Sequence, residues 1–283
     1  MSTLLTFLNK RMTYVDAYLF DVDKLNVLVA LVILGALILY FIYHARRGKA
    51  LFVRRIPGLE SVEEAIGRAT ELGKPMLYVS GINGAGDVAT IAAMNILGYV
   101  AEQVAHYDTD LLVPCIDPVV MTIEQELVKN SYLRAGRPEN YKEDNIYYLT
   151  GEQFPYAMAV SGIMVREKPA ANFFMGAFAA ESLILAEAGA ATGAIQIAGT
   201  SAEHQIPFFI VACDYTLIGE ELFAASAYLG REPLLLGCLK GQDYANLLII
   251  AALLVGITLL TVNAFVATDF STWFVRLFAS AGG

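Results

Sequence analysis

A glycine-rich segment is the part of this sequence whose residues most suggest ligand binding. Gly81-Ile-Asn-Gly-Ala-Gly86 follows a short apolar run, Met76–Ser80, and precedes a predicted helix. Such a loop exposes backbone N–H groups at a helix N-terminus, which attracts phosphates. The spacing, GxxGxG, is neither the dinucleotide fingerprint nor the P-loop, and the adjacent Asp87 would repel a phosphate. A tight strand-to-helix turn that needs positive φ is the alternative interpretation.

A polar loop at residues 200–204 is the second candidate. It follows a predicted strand, Ile195–Gly199, and ligands of doubly wound sheets bind at the carboxyl ends of strands. Ser201, Glu203 and His204 have the types of a nucleophile, an acid and a base. Three such residues in one short loop rarely face one point, so an ordinary polar loop is the alternative. A ligand held by both loops would contact Gly81, Asn83, Gly84, Gly86, Thr200, Ser201 and His204.

The remaining reactive residues form no catalytic or metal-binding motif. His44 and His106 have no partner at metal-ligand spacing. The three cysteines are far apart, which indicates buried reduced thiols rather than disulfides. Asp117, before Pro118, predicts a helix N-cap. We therefore predict no catalytic residue, no metal and no cofactor.

Composition and charge restrict the class of protein. The chain is 57% hydrophobic with a mean hydropathy of +0.54, well above soluble domains. Residues 50–244 contain 12 Lys/Arg against 24 Asp/Glu, a balance of −12. Because an acidic domain repels phosphate backbones, nucleic acid is not expected as a partner.

Two apolar segments predict transmembrane helices, Leu25–Tyr43 and Leu247–Ala267. Neither contains a GxxxG motif. Five basic residues follow the first span and three precede it, which places the domain between the spans in the cytoplasm. The first span is too long for a signal peptide and is followed by no small-residue cleavage site. The basic residues expected at lipid headgroups are Arg46, Arg47, Lys49, Arg54 and Arg55.

Segments 1–24 and 268–283 flank the two spans. Both carry apolar residues at helical spacing, so we interpret them as amphipathic interfacial helices. Contact with neighbouring subunits is the alternative. The predicted order is therefore an interfacial segment, a span at 25–43, a domain at 50–244, a span at 247–267 and an interfacial tail.

The domain at 50–244 reads as alternating strands and helices, which predicts a Rossmann-like α/β fold with a mostly parallel sheet layered with helices. Among the later strands we predict Pro207–Ala212 and Leu234–Leu236. Ala170–Ser201 is rich in Ala and Gly with few charges. We interpret it as packed core or a subunit interface, with a third membrane element as the alternative.

The run from Ala198 to Leu222, AGTSAEHQIPFFIVACDYTLIGEEL, together with the flanking spans, resembles an uncharacterised bacterial family of two-span membrane proteins that carries a domain of unknown function. The resemblance covers about residues 40–265. It implies no activity, cofactor or catalytic residue.

These features favour a non-enzymatic, self-associating membrane protein that builds or scaffolds a larger assembly. The expected partners are the lipid bilayer, further copies in a large homo-oligomer, and other subunits of a membrane complex. The expected location is the bacterial inner membrane. A membrane-anchored regulator or enzyme that binds a nucleotide or small molecule at Gly81–Gly86 is the alternative. An oligomeric channel or transporter is the third hypothesis.

Overall fold

A computed structural model describes residues 25–47, 57–107, 109–230 and 233–266. The elements in chain order are α1 (Leu25–Arg46), α2 (Pro57–Leu72), β1 (Met76–Gly81), α3 (Val88–Ala105), β2 (Leu111–Cys115), α4 (Pro118–Arg134), β3 (Ile146–Tyr148), α5 (Gln153–Glu167), β4 (Ala171–Ala177), α6 (Glu181–Thr192), β5 (Ile195–Thr200), α7 (Ile206–Ala212), β6 (Tyr215–Ile218), α8 (Glu220–Gly230) and α9 (Pro233–Val266). They divide into two compact units. One contains α1 and α9, and the other runs from α2 to α8.

The unit from α2 to α8 is a parallel six-stranded sheet in the order β3-β2-β1-β4-β5-β6. One core lies between the sheet and α2, α3, α4 and α8. A second core lies between the opposite face and α5, α6 and α7. Burial on both faces explains the near-continuous apolar strands. The predicted Rossmann-like α/β fold is confirmed, and its strand order reverses between β1 and β4.

Some local predictions for the later part of the domain are wrong. The predicted strand Pro207–Ala212 is helix α7, and Leu234–Leu236 lies in the first turn of α9. The strand after α7 is Tyr215–Ile218, which we did not predict. Ala170–Ser201 contains β4, α6 and β5, whose inward residues are buried in the sheet core, so a third membrane element there is wrong.

Strands β1 and β2 pair only at their first two residues, Met76 with Leu111 and Leu77 with Leu112. Met76 N donates to Asp110 O, so alternate residues of β2 turn their backbone polar groups toward β1. These residues are Asp110, Leu112 and Pro114, and Pro114 has no N–H to donate. The proline therefore ends the β1–β2 ladder and leaves the carboxyl ends of the two strands apart.

In the other unit, α1 and α9 pack closely at two glycines of α9. A Cβ at Gly237 would lie 2.7 Å from Ile42 Cα, and one at Gly241 would lie 2.8 Å from Ile38 Cα. Gly237 and Gly241 form a GxxxG motif, which allows close approach of helix backbones. The motif lies outside the predicted span Leu247–Ala267, because α9 begins at Pro233.

Three helices of the described residues are long and apolar enough to cross a membrane, over Val27–Arg46, Val88–Ala105 and Leu234–Val262. The middle one is α3, and most of it is buried in the α/β unit. Arg46 and Arg47 follow the apolar part of α1, and the Arg47 guanidinium lies 4.3 Å from the centre of the Tyr43 ring. Segments 1–24 and 268–283 and the predicted headgroup residues Lys49, Arg54 and Arg55 lie outside the described residues.

Candidate functional site

The glycine turn lies where β1 meets β4, at the point where the strand order reverses. Gly81 has a φ of +84°, and a Cβ there would overlap the carbonyl oxygen of Ala177. Ile82 N donates to Ala177 O at 2.9 Å, so β1 and β4 stay joined beyond their last regular pair. The positive φ fits the interpretation of the segment as a tight turn. The contact lies at the edge of the sheet where doubly wound folds bind dinucleotides.

The amides that could bind a phosphate after this turn are already used by a carboxylate. Asp87 Oδ1 accepts from Ala89 N at 2.8 Å and from Thr90 N at 3.2 Å. Asn83 Nδ2 donates to Asp87 Oδ2. A Cβ at Gly84 would lie 3.7 Å from Asp117 Oδ2, so a second carboxylate lies close by. Around Gly84 the geometry disfavours an anion for electrostatic reasons.

The loop at residues 200–204 lies at the same edge of the sheet, but β4 separates β5 from β1. Thr200 is buried, and its Oγ1 accepts from Ala202 N. Ser201 is half-buried and His204 is exposed. Within the described residues no hydrogen bond joins this loop to the glycine turn. The structure therefore brings the two predicted segments to one edge without joining them into one site.

Side chains at the starts of α5, α6 and α7 form contacts of their own on this edge. Gln153 Nε2 donates to Glu181 Oε2, and Ala179 N donates to Glu181 Oε1 at 2.7 Å. Ser182 Oγ donates to Gln205 Oε1 at 2.7 Å. Glu181 is fully buried. These bonds hold the three helices of one layer together.

The most unusual polar group of this edge is Glu124, which reaches from α4 to the separated ends of β1 and β2. Its side chain is fully buried. Cys115 Sγ donates to Glu124 Oε2 at 3.0 Å, and the Ser80 side chain lies close enough to lower the pKa of the carboxyl group. Oε1 has no hydrogen-bond partner. A buried carboxylate oxygen without a donor is costly when the group is charged.

Burial accordingly raises the pKa of Glu124 from 4.5 to about 7, although the hydrogen bonds from Cys115 and Ser80 lower it in part. Burial, together with the charge of Glu124, also raises the pKa of Cys115 and of Tyr78. The thiol and the phenol therefore stay protonated near neutral pH, and Glu124 is the group of this cluster that titrates there.

Tyr156 approaches the same gap from the opposite face of the sheet. Its hydroxyl donates to Pro114 O at 2.7 Å and so occupies an acceptor that faces the gap. Tyr78 is fully buried, and its hydroxyl donates to Ala93 O at 2.6 Å. Polar side chains from both layers thus fill the space where the β1–β2 ladder ends.

The cluster of Ser80, Cys115 and Glu124 was not predicted from the sequence. Two signals were present: a proline inside an otherwise apolar strand, and a glutamate four residues from Val120 and from Val128 on the buried face of α4. Asp214 Oδ2 accepts from Gln196 N at 2.8 Å. No group of three or more His, Cys, Asp or Glu among the described residues has the geometry to hold a metal ion.

Comparison with known families assigns the chain to one family. The family described as Domain of unknown function (DUF6754) matches residues 15–271, which is most of the sequence. The chain belongs to this family. Membership in DUF6754 confirms the resemblance to an uncharacterised domain and assigns no activity to it. No curated protein and no solved structure matches the chain.

Proposed function

We propose that this protein is a membrane-anchored, self-associating component of a larger assembly, in which the α/β domain contacts further copies of itself. The observation that carries the proposal is an apolar outer surface on the layer of α5, α6 and α7. We call it the α5–α7 face. Its large exposed side chains are Phe154, Met158, Val165, Leu183, Phe208, Ile210 and Val211.

The α5–α7 face arises from the helical spacing of these residues. Phe154, Met158 and Val165 are four and seven residues apart and so lie on one side of α5. Met158 is 63% exposed, and Val211 of α7 is 88% exposed. Helix α7 contains no charged residue, and of its seven residues Phe209 is the one fully buried. Contiguous exposed apolar surface on a folded domain marks an interaction site.

A second copy fits this face better than a lipid surface. Residues 50–244 carry a balance of −12, and anionic headgroups repel such a domain. An apolar contact between copies of the chain needs no charge complementarity. Membrane anchoring also holds copies in one plane, which raises their effective concentration.

The finer features of the proposal follow from the charge and hydropathy of the sequence. Helices α1 and α9 would be the two membrane spans, in a bacterial inner membrane. The basic run from Arg46 to Arg55 would face the cytoplasm, and the acidic domain with it. Other subunits of a membrane complex are further candidate partners of the same face.

The test is the mass of the full chain in mild detergent, measured by native mass spectrometry and size exclusion with light scattering. We expect an assembly larger than a dimer that Val211→Asp shifts toward smaller species. Val119→Asp, on the opposite layer at a residue that is 61% exposed, introduces the same charge and should leave the mass unchanged. Raising the salt to about 0.5 M should strengthen association, because it screens repulsion between acidic domains.

Three other outcomes would each contradict a part of the proposal. A monomer at all protein concentrations contradicts self-association. A stable dimer keeps the α5–α7 contact and contradicts the larger assembly. An oligomer that Val211→Asp leaves intact shows that this face is not the contact.

A further inference from the structure

The end of the β1–β2 ladder combines three features that the proposed self-association does not use. Pro114 removes a backbone donor, Glu124 is buried with one oxygen unpartnered, and Tyr156 closes the gap from the other face. The gap lies directly before the Gly81–Gly86 turn and the Asp117 helix cap. A change here would therefore affect the starts of both α3 and α4.

We propose that Glu124 is a proton-operated switch that controls whether the carboxyl ends of β1 and β2 remain closed to water. With its proton, Glu124 is a neutral group that a buried site can hold beside Ser80 and Cys115. When the proton leaves to solvent, the charged carboxylate keeps the Cys115 donor at one oxygen and has no donor at the other. Water entering the gap supplies the missing donors, and the two strand ends separate.

Among the titratable groups around Glu124, its own carboxyl group is the one whose protonation would control the opening. The titratable groups of the neighbouring elements include Tyr78 on β1, Cys115 at the end of β2, Asp117 after it, Tyr147 on β3 and Tyr156 on α5. Helix α3 adds Tyr99 and Glu102; Glu102 pairs with Arg134 on an exposed surface. No lysine or arginine of the described residues forms an ion pair with Glu124. Among the groups named here, only Cys115 and Ser80 stabilise the charged form of the Glu124 carboxylate.

Opening here is local, because the remaining ladders do not depend on it. Strand β1 stays paired with β4 through five pairs of residues, and β2 stays paired with β3 through three. Loss of the few contacts between β1 and β2 leaves both groups of strands intact. The opening would therefore separate two parts of the sheet. One part is β2 and β3 with α4, and the other is β1, β4, β5 and β6.

Hydrogen exchange of the full chain in detergent tests the switch. Amides of residues 78–83 and 115–120 are compared at about pH 5.5 and about pH 8.5 after correction for intrinsic exchange, with α8 as the internal reference. A shift of the Glu124 pKa from 4.5 to about 7 corresponds to about 30-fold more opening at the higher pH. Glu124→Gln should abolish this pH dependence, whereas Glu126→Gln, on the exposed side of α4, should retain it.

Equal protection at both pH values, or a pH dependence that survives in Glu124→Gln, would overturn the proposal. If Glu124→Gln does not fold, infrared titration of the wild-type chain provides the second measurement. It should show a buried protonated carboxyl group that disappears near pH 7. A spectrum without such a group also overturns the proposal. Neither readout depends on oligomeric state, so this result is separable from that of the self-association test.

Discussion

Substitution of the two glycines of α9 tests the close packing of α1 and α9. Alanine at Gly241 would place its Cβ 2.8 Å from Ile38 Cα, and alanine at Gly237 would place it 2.7 Å from Ile42 Cα. Carbon atoms in contact prefer about 3.5–4.0 Å, so the helices must separate by about 1 Å at the point of contact. Overpacking of this kind costs about 1–3 kcal/mol, and each variant should lose that much stability.

Gly35→Ala is the matched control, because Gly35 lies in α1 and a Cβ there meets nothing within 4 Å. All three variants make the same change in helix propensity, so the difference between them reports packing alone. Unfolding in mixed micelles of detergent and SDS can be followed by the near-ultraviolet signal of the aromatic side chains, which include Tyr244 stacked on Phe41. If Gly241→Ala and Gly237→Ala are no less stable than Gly35→Ala, the close approach of α1 and α9 is wrong.

Three further predictions concern the α/β unit. Because the folded protein holds the Glu124 proton more tightly than the unfolded chain, its contribution to stability is complete below pH 4.5 and is lost as the pH rises through about 7. Denaturation at a series of pH values should show a decrease of about 3 kcal/mol over this range, which Glu124→Gln removes. Asp117→Ala should cost about 1 kcal/mol in thermal unfolding and Asp117→Ser much less, since serine can still cap α4; equal losses would contradict the cap. Gly81→Ala should destabilise by about 1–3 kcal/mol through its positive φ and the Ala177 carbonyl, whereas Gly86→Ala, whose Cβ meets nothing within 4 Å, should stay near wild type.

The sequence predicts the layered α/β architecture well because its strands and helices carry distinct local signals. Asp117-Pro118 is confirmed as the N-cap and first residue of α4, and Gly73 and Gly193 follow their helices with positive φ. Such signals depend on a few neighbouring residues, so they can be interpreted without knowledge of the tertiary fold.

The wrong predictions occur where local signals are ambiguous. Residues 206–212 are apolar throughout, and so short a run shows no period that separates a strand from a helix. We predicted that a strand begins at Pro207, but proline is also common in the first turn of a helix. The following strand, Tyr215–Ile218, is only four residues long, and its pairing with β5 decides its structure.

The Glu124 cluster depends on contacts between residues far apart in the chain. Ser80 and Glu124 are separated by a whole β–α–β unit, so their spacing contains no motif. The glycine turn was recognisable in the sequence, whereas its contact with Ala177 depends on the strand order. We could therefore predict the edge of the sheet at which polar groups gather, but not which of them become buried together.

The tight fit of α1 against α9 also has a consequence for synthesis of the chain. About 190 residues separate the two helices. At about 5–20 residues per second, α1 therefore waits roughly 10–40 seconds for its partner. During that time the surface of α1 that will meet Gly237 and Gly241 lacks its contact with α9. Closure of the pair is then a late step of biogenesis, and it takes place only on chains whose intervening domain has already been made.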